Sequence, residues 1–246
     1  MDFSLMREFM DRLCAWRTPG NCMTIHIDNK QVFSYTSGYE NLEKKTRMSD
    51  KKLFNMFSTT KPVTALAGLQ LYEKGYFLLD DPLYDFIPEY RHMCIKDKDG
   101  NLREAKNPIT LRQLFTMTSG ILYGYNSENI EEARRVTNGK MDTLTTVKYI
   151  AKDPLDFEPG EGWAYGLGLD VLGAVIEIIS GKKFRDYVKE NIFDPLDMND
   201  SYFHMEDVAD RVADMYFYHD SDETDLVKLQ MGGVNENKGW IEHVDK

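Results

Sequence analysis

Ser58 and Lys61 are the pair in this chain best suited to covalent chemistry. They lie in Phe57-Ser58-Thr59-Thr60-Lys61-Pro62, ahead of an apolar run from Val63 to Tyr72. Residues three apart share one helix face, so the hydroxyl and the amine can approach hydrogen-bonding distance. A free hydroxyl hardly ionises near neutral pH and needs an adjacent base to become a nucleophile. The lysine must be neutral to serve, and burial disfavours its charged form. A helix N-terminus adds free backbone N–H groups and a partial positive charge where an oxyanion would develop.

Spacing alone does not select this pair. Ser-x-x-Lys occurs three times, at Ser49–Lys52, Ser58–Lys61 and Ser180–Lys183. Ser49 lies in the charged stretch Met48-Ser-Asp-Lys-Lys, and Ser180 precedes Gly181 at an expected helix end, so both read as solvated turns. Only Ser58 has an apolar approach, Leu53 to Phe57, and a long apolar helix after it. Pro62 suits a helix's first turn. A plain N-cap at Ser58 or Thr59 is the alternative reading.

The elements that would position the pair follow from the pattern. Phe3, Met6, Phe9, Met10 and Leu13 have helical spacing over residues 3–16. Residues 22–28 and 31–37 alternate as strands around the turn Asp28-Asn29-Lys30, which predicts a hairpin; His26 reads as a packed strand residue. The Ser58 helix runs to about Glu73 and stops at Gly75. Residues 96–107 read as a solvated loop. Thr110 caps a helix carrying Leu111, Leu114 and Phe115. Residues 126–141 read as a polar surface excursion, helical in part at most; further helices are expected over 143–152, 169–179 and 184–191, and over 208–214, followed by a strand at 215–218. The loop Phe157-Glu-Pro-Gly-Glu-Gly-Trp-Ala-Tyr165-Gly lies between two of these helices. No repeat or linker divides the chain, which predicts one domain over residues 1–246.

Composition bounds the function. The 42% apolar and 12% aromatic content is that of a folded globular protein. A net charge of −11 argues against nucleic acid or an anionic membrane as partner. Cys14, Cys22 and Cys94 are too scattered for a disulfide framework or a zinc site, and His26, His92, His204, His219 and His243 lack ligand spacing. No metal or cofactor is expected. The N-terminus has no continuous apolar core and no run of about 18 apolar residues occurs, so a cytoplasmic location is expected. No Gly-x-Ser-x-Gly elbow is present, which counts against an α/β-hydrolase.

Several landmarks follow one another in a recognisable order. They are Ser58-Thr-Thr-Lys61, Leu79-Asp-Asp-Pro82 and Ile109-Thr-Leu-Arg-Gln-Leu-Phe-Thr-Met-Thr-Ser-Gly120, then Phe157-Glu-Pro-Gly-Glu-Gly-Trp-Ala-Tyr165, Asp170-Val-Leu-Gly-Ala-Val-Ile-Glu177 and Ile192-Phe-Asp-Pro-Leu-Asp-Met198. Together they resemble the serine β-lactamase-related family, which comprises class C β-lactamases, D-Ala-D-Ala carboxypeptidases and their esterase relatives. The resemblance covers the chain from the opening helix to about residue 220. It implies an α+β fold, a helical lobe packed on an antiparallel sheet. It also implies that Ser58 is the acylated nucleophile, Lys61 its base partner and Tyr165 the proton relay of the second motif, Tyr-x-Asn. A phenol in that role contributes about 10²–10⁴-fold. The bland reading of Tyr165 is an aromatic filling a Gly-rich loop.

The chain departs from the family pattern twice. Leu167 stands at the asparagine position, which weakens the case for β-lactam hydrolysis more than the case for ester acylation. No Lys/His-x-Gly third motif follows Tyr165, and Asn237-Lys238-Gly239 is a poor substitute. Losing one oxyanion donor typically costs about 10²–10³ in rate. Relative to the family the chain reads as C-terminally truncated, with only the N-terminal strands evident. That leaves an exposed sheet edge at residues 22–28 that could pair with a second copy. The leading expectation is a serine hydrolase acting on a small ester, amide, D-Ala peptide or β-lactam, with activity impaired by the missing motif. A cytoplasmic location favours the ester. The rival is a non-catalytic remnant that binds a ligand or partner.

Overall fold

Asp28 and Asn29, with φ of 49° and 60°, turn the first hairpin. Two successive positive φ values define the turn whose twist matches that of the flanking strands, and Asp and Asn tolerate it well. The computed structural model describes residues 1–16, 18–97, 99–124, 127–204, 208–218 and 226–228. The chain falls into two units, one built from residues 1–55 with the described residues from 204 on, the other from residues 56–203. Helices and small antiparallel sheets alternate in an α+β arrangement.

In the first unit, helix α1 (Ser4–Trp16) precedes strands β1 (Gly20–Ile27), β2 (Lys30–Asn41) and β3 (Thr46–Arg47). The sheet order is β1-β2-β3, so β1 is an outer strand. Met10 of α1 and Phe33 of β2 are buried, and the Phe3 ring stacks obliquely on Phe33 at 4.9 Å. The Arg7 guanidinium covers both Phe33 and Tyr35, at 5.1 and 4.8 Å. The helix expected over 208–214 is instead a single 3₁₀ turn, Ala209–Arg211. Leu53 outcompetes the helix for its backbone: its N–H donates to Arg211 and its carbonyl accepts from Ala213. The strand expected next is present as Tyr216–Tyr218, paired with Leu226–Lys228. Asn237-Lys238-Gly239 lies outside the described residues.

The second unit holds helix α2 (Lys61–Glu73), strands β4 (Cys94–Lys96) and β5 (Leu102–Glu104), and helices α3 (Leu111–Thr116), α4 (Glu128–Val136), α5 (Thr143–Ile150), α6 (Gly168–Ser180) and α7 (Phe184–Val188). Its core is α6, whose Val171, Leu172, Ala174, Val175 and Ile176 are fully buried. Helices α2, α3 and α5 pack on it. Gly68 lets α2 approach: a Cβ there would lie 2.8 Å from the Phe115 ring and 3.0 Å from Leu172. α2 is buried along one face only, through Thr64, Ala67, Gly68 and Leu71, while Leu66, Leu69 and Tyr72 are exposed.

Residues 96–107 are not the plain loop expected from their charge. Cys94 pairs with Glu104 and Lys96 with Leu102 to make a hairpin. The Asp97 carboxylate accepts the N–H groups of Asp99 and Asn101, closing its tip. Only Ile95 is buried in these strands, so no hydrophobic alternation announces them.

Candidate active site

Phe57 has φ of +43°, a left-handed backbone that bulky residues rarely adopt and that costs about 1–3 kcal/mol. This bend starts a 3₁₀ turn, Phe57–Thr60, that runs into α2 at Lys61. Ser58 thus sits on the 3₁₀ turn ahead of the α-helix, where side chains three apart eclipse, and it keeps a common face with Lys61. Ser58 is exposed and Lys61 half-buried. Met56 precedes the turn and Thr60 the helix, neither with a side-chain capping bond, so Ser58 and Thr59 do not serve as N-caps. The N–H of Ser58 lies in the first turn, where helical backbone offers no acceptor. The other two Ser-Lys pairs are turn chemistry as expected. Ser49 and Ser180 each accept the N–H two residues on, at 3.2 Å.

Tyr165 is brought to this pair by a loop stitched to the segment after α3. Asp156, Gly160 and Ala164 donate their N–H groups to the carbonyls of Gly120, Thr118 and Met117, at 2.9, 2.9 and 3.1 Å. Two glycines permit the approach. A Cβ on Gly120 would lie 2.5 Å from the Phe157 carbonyl oxygen, and one on Gly166 would lie 2.0 Å from that of Ile121. The Lys61 ammonium position lies 4.9 Å from the Tyr165 ring centre. Hydrogen bonding with Ser58, assisted by Lys61 through a hydrogen bond and its charge, holds the Tyr165 phenol below its ordinary value of 10, against partial burial and the Asp170 carboxylate. The three residues singled out from sequence are therefore together.

Two further residues shape the site and are not apparent from spacing. Tyr123 lies against Tyr165, ring centres 5.4 Å apart, and 5.9 Å from Lys61 Nζ. Its only signal in sequence is the aromatic density of Ile121-Leu-Tyr-Gly-Tyr125 directly after Ser119-Gly120. Glu158, almost wholly buried, anchors the Tyr165 loop from behind. Its carboxylate accepts Arg103 Nη1 at 2.8 Å and the N–H groups of Lys106 and Asn107. Burial pushes its carboxyl up, but Arg103 and those two N–H groups more than offset this and the net shift is downward.

A carboxyl with a depressed folded pKa contributes stability above its unfolded pKa and loses it as pH falls through the folded value. The Glu158 contribution is therefore present at neutral pH and disappears below its ordinary 4.5. Glu158→Ala is expected to lower stability by about 1–2 kcal/mol at pH 7, since Arg103 and the N–H groups of Lys106 and Asn107 lose a charged acceptor while staying open to water. The difference from the parent should shrink at pH 3, which chemical denaturation at the two pH values checks.

Leu167, at the expected amide position, is 1% exposed. It lines a cavity of about 210 Å³ with Ile121, Leu122, Ile150 and Leu155. No cluster of three or more His, Cys, Asp or Glu among the described residues could hold a metal ion, and no helix among them is long and apolar enough to cross a membrane.

A serine and a lysine sharing a helix-start face, with a tyrosine against them, form an arrangement chemically suited to acyl transfer. The family model described as Beta-lactamase matches residues 4–235, and the chain belongs to that family. It is 33% identical over 217 residues to a lovastatin esterase of Penicillium rubens, covering 83% of this chain and 53% of the relative. It is 32% identical over 179 residues to Esterase EstB of Burkholderia gladioli, covering 70% and 44%. Among solved structures, an octameric penicillin-binding protein homologue from Pyrococcus abyssi superposes with a TM-score of 0.72 at 29% identity, covering 93% of this chain and 50% of the other. The chain spans about half the length of these relatives.

Proposed function

We propose that this chain carries the acylation machinery of a serine esterase, with Ser58 as nucleophile, Tyr165 as proton relay and Lys61, in place of the neutral base expected from sequence, as the charge that favours the Tyr165 phenolate. The observation that carries this is the convergence of the three side chains, with Lys61 Nζ 4.9 Å from the Tyr165 ring centre and Ser58 one turn ahead of Lys61 on the same face; their proximity favours a lowered Tyr165 phenol. In the reaction, Ser58 Oγ attacks the ester carbonyl carbon and its proton passes to Tyr165 Oη. The tetrahedral intermediate collapses, the alcohol leaves with that proton, and water then releases the acid by the same relay in reverse. The first-turn N–H of Ser58, for which helical backbone offers no acceptor, is the donor this reading assigns to the oxyanion.

An ester is favoured over a β-lactam or a D-Ala peptide for two reasons. Leu167 supplies no amide for an acylamino group, and two relatives above 30% identity are named esterases. The exposed aromatics Phe57, Tyr123 and Trp163 suit an apolar acyl or alcohol group. Leu167 in place of the family's asparagine leaves one other reading, a non-catalytic chain that binds a ligand without turnover. Initial rates with p-nitrophenyl acetate, a chromogenic cephalosporin and a D-Ala-D-Ala peptide, each beside Ser58→Ala, separate these. Ser58-dependent hydrolysis of the aryl ester above the other two is the expected result. Equal rates in Ser58→Ala would sink the esterase reading.

A further inference from the structure

The Lys61 side chain is bracketed by two aromatic rings, and only one of them belongs to the relay. Lys61 Nζ lies 4.9 Å from the Tyr165 ring centre and 5.9 Å from that of Tyr123. The two rings are themselves 5.4 Å apart and inclined by 39°. A cation within about 6 Å of a ring face is attracted by the ring quadrupole, and tilted aromatic pairs gain beyond their buried area. Tyr123 therefore packs against Tyr165 and lies within cation–π range of Lys61. Its segment is held there: Ile121, two residues earlier, is buried, and the Ile121 carbonyl lies against Gly166, the residue after Tyr165. Tyr123 itself is 49% exposed, so its ring serves little purpose as core.

We propose that Tyr123 is a positioning residue for this reaction, its ring fixing Lys61 and Tyr165 in the arrangement that activates Ser58, while its exposed part forms a wall that favours planar acyl groups. This assignment rests on Ser58 being the acylated residue. It places the work in the ring and not in the Tyr123 hydroxyl, and it concerns a side chain that does not itself exchange protons with the substrate.

The two roles predict separable effects. Without the ring, Lys61 and Tyr165 lose a shared contact, and kcat for p-nitrophenyl acetate should fall about tenfold with KM changed less than twofold. The acetyl group is too small to use the wall, so the effect on it isolates positioning. With p-nitrophenyl benzoate, KM should also rise, because the aromatic acyl group loses its stacking surface.

The test compares Tyr123→Leu and Tyr123→Phe with the parent, using both esters over a range of pH. Tyr123→Phe should keep kcat, KM and the pH profile within twofold. Tyr123→Leu should show the losses above, and its alkaline-rising limb should move up, as Tyr165, facing Ser58, Lys61 and Asp170, loses the company of a fixed Lys61. A merely structural role for the ring would lower the stability of Tyr123→Leu without moving its pH limb. Tyr123→Leu behaving as the parent, or Tyr123→Phe failing as badly as Tyr123→Leu, overturns the assignment while leaving Ser58 intact. Absence of Ser58-dependent acylation in the parent itself overturns the reading beneath it and the assignment together.

Discussion

Tyr165→Phe should lower kcat for an aryl ester by about 10²–10⁴-fold while the protein folds normally, the range expected for removing a positioned proton-transfer group. The ring stays, so packing against Tyr123 and the face offered to Lys61 persist; only the phenol is lost. Tyr165 is partly exposed, so stability should change little. The pH dependence gives the stricter version. Ser58 and Lys61 favour the phenolate, so the ionised fraction grows as pH rises through a midpoint below 10. A relay that accepts the Ser58 proton is competent when ionised, and kcat/KM should rise along a limb with that midpoint. The limb should vanish in Tyr165→Phe. A limb that survives unchanged in the variant would assign it to another group and remove Tyr165 from the mechanism.

Gly166→Ala should be far more damaging than its single added methyl suggests. The new Cβ would sit 2.0 Å from the Ile121 carbonyl oxygen, well inside contact distance, and both partners are backbone. Neither can rotate away, so the Tyr165 loop must separate from the 117–121 segment. Overpacking of this kind costs about 1–3 kcal/mol and more where nothing can yield; about 3 kcal/mol is expected here. For a chain of this size that lowers Tm by about 6–12 °C. Acylation should fail even at temperatures where the variant is folded, because Tyr165 and Tyr123 flank that contact. Gly75→Ala is the control. It has φ of +77° with nothing near its Cβ position, so it carries backbone strain without the clash and should leave acylation intact.

What could be read from the sequence, and what could not, follows from how far each residue's partners lie along the chain. Ser58 and Lys61 are legible because three-residue spacing on one turn is a local property, and the strained Phe57 ahead of them alters the turn type without disturbing that face. The hairpin at Asp28-Asn29 and the cap at Thr110 are local too, and both are present. Tyr165 was reachable only through a resemblance of ordered motifs, since nothing in a Gly-rich loop says which helix it will meet. Glu158 and Tyr123 depend on partners brought from Arg103 and Lys61 by the fold, and neither carries a spacing that betrays this. The hairpin at 94–104 was hidden for a related reason: its strands bury a single side chain and are held by backbone pairing and the Asp97 turn. Leu53 drew residues 211–213 into pairing across a large sequence gap, which local helical pattern cannot foresee.

The most direct test of the central claim is the mass of the protein after a brief exposure to p-nitrophenyl acetate, quenched in acid and followed by peptide mapping. The account predicts one added acetyl group, located on the peptide containing Ser58, and no adduct at that peptide in Ser58→Ala. A folded parent that gains no acetyl group, or gains it elsewhere with Ser58 unmodified, would contradict it.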